Sequence, residues 1–472
     1  MLILPLLGAF VIAVFFRGAN ARHAALFTAL ATLATTVGYL VNFTADGSFQ
    51  WVVDLPWIPQ AGIRFKLGFD GIGMLLVGLT NLLLPIIVLS TYDKEYKGGY
   101  YALVLIMQTA LQGVFTALDG ITFYVFWELA LIPIYFISAT WGGVRRIGVT
   151  LKFFIYTFAG SVLMLLSLLY LYGKTPDQSF DWQQLVAVQL SATEAVWVAL
   201  GFFVAFAIKM PLFPFHTWQP DTYTESPTGG TMLLSGIMLK MGIYGLMRWM
   251  LPLVPEAAHL NGIFMVLAIT GIIYASVIAM RLQDIKRIIA YSSIAHVGLI
   301  AAGVLTFETT GLQGALIQML NHGINVVGLF LISDIIEKRM HTRRLAELGG
   351  IARQAPVFAV LFMIIMLGTV AVPFTNGFVG ELLLLKGIYA HQIWAAVVAG
   401  FTIILCAVYM LRIYQFAMLG EAKEGAPVFA DIRGAELWAL GVLCALVILI
   451  GLFPQPLLDL TAASVENLIK LK

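Results

Sequence analysis

About fourteen stretches of predominantly apolar residues follow one another along this chain, each roughly 17 to 25 residues long, the length an α-helix needs to cross about 30 Å of hydrocarbon. No other feature restricts the fold as strongly. Inside hydrocarbon every backbone N–H and C=O must be bonded within the protein, which leaves helices and closed barrels, and a barrel would alternate apolar and polar residues. Composition agrees: 60% of the 472 residues are hydrophobic and 11% are charged, against about a quarter charged in a soluble chain. The expected fold is an all-α polytopic membrane protein. Its spans fall near 2–16, 24–43, 72–90, 100–118, 121–140, 151–172, 196–219, 228–251, 262–280, 286–305, 312–335, 356–388, 394–418 and 436–457. The first begins at Met1 with no basic n-region and no A-x-A site, so it reads as a span with a short start and not as a cleaved signal peptide.

Charge distribution orients the chain. Loops after odd-numbered spans hold about 18 Lys and Arg, among them Arg145, Arg146, Arg281, Lys286, Lys338 and Arg343, and the other side holds about 6. Odd loops therefore face the cytoplasm, and both termini are expected on the periplasmic side of a bacterial-type cytoplasmic membrane. A net charge of +2 gives no sign of a nucleic-acid partner. Cys406 and Cys444, the two cysteines, lie inside apolar runs and cannot build a thiolate-held cluster alone. With no G-x-G-x-x-G after a strand and no P-loop, no cofactor-binding or metal site is expected in this chain.

The informative remainder is a set of ionisable residues too deep to reach either interface. A charge at a helix centre costs about 2.5 to 3.5 kcal/mol on insertion scales, so such residues read as functional when they have partners. They are Glu128 in FYVFWELALIPIYF, Lys209 in VAFAIKMPLFPFH, Lys240 in LLSGIMLKMGIYG, His296 in YSSIAHVGLIAAG, His322 in IQMLNHGINVVGLF and Glu381 in VPFTNGFVGELLLLKG. Helical spacings of three, four and seven put Gln318, His322 and Asn325 on one face, Ser292 with His296, Lys240 with Tyr244, and Tyr124 with Glu128 and Tyr135. Such polar stripes face a bundle interior. Burial disfavours an isolated charge and an adjacent opposite charge restores it, so a row of these groups can pass protons by making and breaking pairs.

Two spans are interrupted beside their ionisable residue. Pro211 and Pro214 follow Lys209, and Pro373, Asn376 and Gly377 precede Glu381. Breaks at corresponding places in two halves point to inverted repeats around a midplane ion path. The seventh and twelfth spans are each fourth in a repeat of five. The expected organisation is therefore flanking helices over 1–95, a first repeat over 96–255 (spans four to eight), a second over 256–420 (spans nine to thirteen) and a last helix over 421–472.

Plainer readings stand beside these. Glu128 and Lys209 can form a structural ion pair locking two helices. His296 and His322 can be satisfied core histidines, and His216, near a cytoplasmic loop, can do no more than order that loop. Lys240 is too far from either end of its span to snorkel.

These residues carry a resemblance. PLFPFHTWQPDTYTESPTGGTMLLSGIMLKMGIYG, the WEL segment around Glu128, YSSIAHVGL and NHGINVVGLF are similar to the antiporter-like subunits of respiratory complex I and their multisubunit cation/proton antiporter relatives, over spans three to thirteen. PFTNGFVGELL resembles the chain M type, because Glu381 stands where the other types carry lysine. The resemblance implies two inverted five-helix bundles and a controlling pair at Glu128 and Lys209. It makes Lys240 the central relay group and continues the path through His296 and His322 to an exit at Glu381. It also implies a proton-translocating role coupled to electron transfer from NADH to quinone. NADH, FMN, iron–sulfur clusters and quinone would then sit in partner subunits, and the partners would be other membrane-arm antiporter-like subunits and the hydrophilic arm. Tyr223 departs from the family, which often has histidine there. A sodium/proton antiporter subunit, and a subunit of a membrane-bound hydrogenase or another donor-linked quinone reductase, remain alternatives. So does, from another class, a quinone-binding subunit or an inert scaffold.

Overall fold

The computed structural model describes residues 1–16 and 18–471. Among them eleven helical segments are long and apolar enough to cross a membrane: Ala19–Val41, Gly71–Leu89, Gly120–Trp141, Arg146–Lys174, Ala192–Lys209, Thr228–Met250, Asn261–Arg281, Ile285–Leu305, Thr309–Met340, Ile393–Met418 and Gly434–Leu452. With the shorter or less apolar Ile3–Phe15, Gly98–Thr116 and the broken pair Pro356–Thr369 and Asn376–His391 they fill the fourteen expected positions. Position in the bundle follows sequence character. The apolar cores of the spans bearing Lys240 and His322 are wholly buried and that of the span bearing His296 nearly so. The second, thirteenth and fourteenth turn large apolar side chains such as Phe27, Val397 and Trp438 outward, where lipid is the solvent.

Two departures from the expected elements matter, and two breaks fall where they are expected, beside Lys209 and before Glu381. The segment between the second and third spans is not a plain loop but an antiparallel hairpin, β1 (Gln50–Ile58) and β2 (Ile63–Phe69), pairing Val53 with Leu67 and Asp54 with Lys66. Its β-branched and aromatic residues suit a pleated strand, and its mere seven to nine residues keep it below the reach of a hydropathy argument. After the fourteenth span a further helix, Gln455–Ile469, lays Thr461, Ser464, Val465 and Leu468 against the bundle, an apolar face at three- and four-residue spacing. The seventh span stops at Lys209, ten residues before its expected end, and 210–218 runs on without regular helix. The twelfth is two helices separated by 370–375, where Ala371 and Phe374 have positive φ of 60° and 71°. Left-handed backbone in a non-glycine residue is costly and persists where surroundings impose it, often at functional sites.

The eighth span is irregular in another way. Two π-helical turns, Leu234–Met238 and Leu246–Met250, flank the α-helical turn Lys240–Gly245. Such bulges free carbonyls from the regular ladder. The same span packs without intervening side chains on its neighbours. A Cβ on Gly323 would lie 2.9 Å from the Gly236 carbonyl oxygen, and one on Gly242 would lie 2.7 Å from that of Phe206. Backbone contact there holds the eighth span against the seventh, and against the eleventh closely enough for Lys240 to reach His322.

Candidate functional site

Glu128 ends the first half of its span. The next helical segment starts at Leu131, and Pro133 cannot donate to the Leu129 carbonyl four residues back, so the helix breaks beside the carboxylate. Glu128 is half-buried with Oε1 unpartnered, and Tyr124 stands one turn away. Tyr135, expected on the same stripe, packs instead against Phe136 and Phe154.

Lys209 is the last helical residue of the seventh span and is 2% exposed. Its Nζ finds no hydrogen-bond acceptor and sits 5.2 Å from the centre of the Trp127 ring. Glu128 and Lys209 therefore do not close an ion pair in this structure. The aromatic face stabilises the ammonium in place of a carboxylate. The break is tidied by Trp218, whose indole N–H donates to the Ile208 carbonyl at 3.0 Å.

From Lys240 onward the groups are in contact. Lys240, fully buried, donates through Nζ to the Ser235 carbonyl at 2.8 Å, inside the first π turn, and meets His322 Nδ1 at 2.9 Å. The His322 and His296 rings stand 6.0 Å apart. Between them lies a small polar cavity with room for about one water, whose wall includes Ser292, Gln318, Asn325 and Thr369. His296 Nδ1 lies 2.8 Å from the Ser292 carbonyl, and its Nε2 faces the Thr369 carbonyl at 3.2 Å and Glu381 Oε1 at 3.5 Å. Glu381 is 2% exposed and takes a second contact from Gln318 Nε2 at 3.5 Å, while its Oε2 has no partner.

This geometry constrains where protons sit. A carbonyl only accepts, so His296 holds its Nδ1 proton toward Ser292. Its Nε2 looks at two further acceptors, so a proton on Nε2 has both the Thr369 carbonyl and Glu381 Oε1 to bond. The broken twelfth span is held by the same neighbours. Asn321 Nδ2 donates to the Asn376 carbonyl at 2.7 Å, Asn376 Nδ2 donates to Asn325 at 3.1 Å, and Asn376 Oδ1 accepts from the Gly377 N–H at 2.8 Å. Polar backbone at the break is thus satisfied by Asn321 of the eleventh span and by Asn376 itself.

The structure brings together Lys240, His322, His296 and Glu381 with Ser292, Gln318 and Asn325. Glu128, Tyr124 and Lys209 form a separate group around Trp127. His216 joins neither: it packs against Phe213 and Tyr274 with Nδ1 unpartnered. Sequence reasoning passed over Asn321, which precedes His322 and lies three residues after Gln318, and Tyr409, whose hydroxyl donates to Ser292 Oγ at 3.1 Å. It also passed over Asn81, whose Oδ1 accepts from Gln108 at 2.8 Å and Gln112 at 2.6 Å. The signal was present in the i, i+4 spacing of the two glutamines.

Comparison with known proteins extends this picture. Residues 117–406 match the family model described as NADH:quinone oxidoreductase/Mrp antiporter, TM. NADH-quinone oxidoreductase subunit M of Rickettsia typhi is 40% identical over 454 residues, covering 94% of this chain and 91% of that protein. F(420)H(2) dehydrogenase subunit M of Methanosarcina mazei is 36% identical over 456 residues, covering 94% and 92%. A chain in the structure of respiratory complex I from Thermus thermophilus with bound NADH superposes with a TM-score of 0.90 at 30% identity, covering 99% of this chain and 98% of that one. This chain belongs to the NADH:quinone oxidoreductase/Mrp antiporter membrane-subunit family, as an antiporter-like subunit of the M type.

Proposed function

We propose that this chain is the proton-translocating M-type subunit of a respiratory complex I membrane arm and that its protons travel through Lys240, His322, His296 and Glu381. One observation carries the reading: four ionisable side chains from four different spans follow one another at bilayer depth with contacts of 2.9 Å, 6.0 Å between rings and 3.5 Å. Structural ion pairs need no such succession. In the forward direction the Lys240 ammonium gives its proton to His322 Nδ1. The imidazolium passes one onward through the cavity to His296, and the His296–Glu381 pair releases it. Lys240 is left neutral and is reloaded from the Glu128–Lys209 group, whose open arrangement is one of two positions it can take. Closing the pair would lower the cost of a charge at Lys209 and, by neutralising that charge, at Lys240 as well, and opening it would raise both and drive the Lys240 proton onward.

Loop charge supports placing both termini on the periplasmic side, with Glu381 leading there. The placement of both breaks in the fourth span of a five-span unit supports repeats over 96–255 and 256–420 between flanking segments 1–95 and 421–472. Electron chemistry is assigned to partner subunits: NADH, FMN, iron–sulfur clusters and quinone would be held by the hydrophilic arm and its junction with the membrane. Relatives that carry different donors in their names, NADH and F(420)H(2), support a membrane subunit whose own task is independent of the donor.

The test is donor-driven acidification in vesicles bearing the assembled complex, with assembly checked on native gels. Lys240→Ala should abolish pumping and slow coupled electron transfer. Full pumping by an assembled Lys240→Ala complex would sink the reading.

A further inference from the structure

Asp334 is a buried carboxylate that the relay above does not use. It stands on the eleventh span twelve residues after His322, and its side chain is 7% exposed. Taking a carboxylate out of water is costly unless other groups bond it, and three do so here. Thr228 donates through Oγ1 to Oδ1 at 2.5 Å, Lys94 Nζ lies 3.6 Å from the same oxygen, and Lys338 Nζ bridges Oδ2 at 2.6 Å. Lys338 reaches on to Asp93 at 2.7 Å. The cluster thus joins the first residue of the eighth span, the last turns of the eleventh and the segment between the third and fourth. The two lysines account for the charge. They do not account for Thr228, whose hydroxyl adds an uncharged bond from another span to a carboxylate already neutralised.

That bond has a counterpart in the relay. Thr228 precedes Lys240 by twelve residues and Asp334 follows His322 by twelve, so Thr228–Asp334 and Lys240–His322 are two rungs of one antiparallel pairing, about 18 Å apart along either helix. The same pairing sets Gly236 opposite position 326, and Gly236 packs against Gly323 and Val327 on either side of it. The first π turn, Leu234–Met238, lies between the rungs. A π turn holds one residue more than an α turn, and taking up or releasing that residue rotates the helix beyond it by about 100°. Backbone hydrogen bonding alone therefore does not fix where Lys240 points. A contact on the far side of the turn must hold the start of the span in place.

We propose that Asp334 is a positioning residue of the proton relay, which through Thr228 fixes the start of the eighth span against the eleventh and so holds Lys240 on His322 Nδ1. The inference rests on the reading of Lys240 as the central relay group. Asp334 acts from about 18 Å away along its helix and takes no proton itself. Without the rung the eighth span can turn or slide at its π turn, and a slip of one residue, about 1.5 Å along the axis, takes Lys240 off the ring.

The experiment measures protons pumped per electron transferred in vesicles bearing the assembled complex, with assembly checked on native gels. It compares wild type, Asp334→Ala, Asp334→Glu, Thr228→Val, the Asp334→Ala/Thr228→Val double variant and Asp93→Asn. Lys240→Ala is the control for the underlying reading. Thr228→Val keeps the shape and every charge, so it remains informative where Asp334→Ala disturbs assembly. The expected result is a fall in the ratio for Asp334→Ala and for Thr228→Val, with no further fall in the double variant, since both remove one rung. Asp334→Glu, which keeps the carboxylate, should recover the ratio, and Asp93→Asn, which strips only the outer bridge, should leave it at the wild-type value. A residue serving stability alone would lower the amount of assembled complex and leave the ratio of what assembles unchanged. If Lys240→Ala stops pumping while Thr228→Val keeps the wild-type ratio, the positioning role is overturned and the relay stands. If Lys240→Ala pumps normally, the relay itself falls and the positioning role with it.

Discussion

At the scale of single residues, the arrangement that most affects the energetics is Lys209 over Trp127. A lysine ammonium without an acceptor at bilayer depth is expensive, and the ring 5.2 Å away is the group that offsets part of that cost. A desolvated cation–π contact of this kind contributes about 2 kcal/mol. Trp127→Leu should therefore leave Lys209 dependent on Glu128, drive the pair closed, and lower the proton-to-electron ratio in an assembled complex. A wild-type ratio in Trp127→Leu would show that the ring is packing alone. His296 makes a second prediction. Because its Nε2 stands 3.5 Å from Glu381 Oε1, His296→Gln should cut pumping while leaving assembly intact, since an amide can hydrogen-bond to Ser292 and Glu381 but cannot be protonated. Pumping at the wild-type rate in His296→Gln would remove the ring from the path.

Among the elements, the eighth span decides whether the relay is continuous. Its π turns offer the Ser235 carbonyl to Lys240, and Gly236 against Gly323 lets the span meet the eleventh closely enough for Lys240 to reach His322. Gly236→Val should force the two spans apart, destabilising the subunit by about 1 to 3 kcal/mol and breaking the 2.9 Å contact. The readouts are thermal dissociation of the complex and pumping per electron. Gly441→Ala, where a Cβ meets nothing within 4 Å, is the neutral control. If both variants pump alike, the close approach does not set the relay. The sequence displayed the six candidate residues because charges inside apolar runs are rare and each is visible by itself. It did not display the contacts. Glu128 and Lys209 share no sequence signal for being open or closed, since that depends on side-chain torsions and on which way Trp127 points. Arg248, near the end of its span, looks like a residue able to snorkel to water, and only the third span's Asp70 beneath it shows that it does not. The hairpin and the helix Gln455–Ile469 were missed for a different reason: both are amphipathic caps, and hydropathy averages over them.

For the whole molecule, the open consequence is direction. The hairpin, a cavity lined by Asp70 and Arg248, and the C-terminal helix all lie at one end of the bundle. Lys286, Lys338, Arg343 and Arg344 belong to odd-numbered loops at the other, where Lys338 bridges Asp93 at 2.7 Å and Asp334 at 2.6 Å. The bias of lysine and arginine toward that end predicts that it faces the cytoplasm. Alkaline phosphatase, which folds only outside the cytoplasm, should be active when fused after residue 471 and inactive when inserted beside Thr342. Green fluorescent protein at the same two places should show the reverse. The opposite pattern at both places would invert the chain. The chemistry of Lys240, His322, His296 and Glu381 would be unchanged, but Glu381 would then stand at the loading side and the Glu128–Lys209 group at the release side. The fusion pair therefore fixes the sign of every proton movement assigned above, independently of whether any single variant pumps.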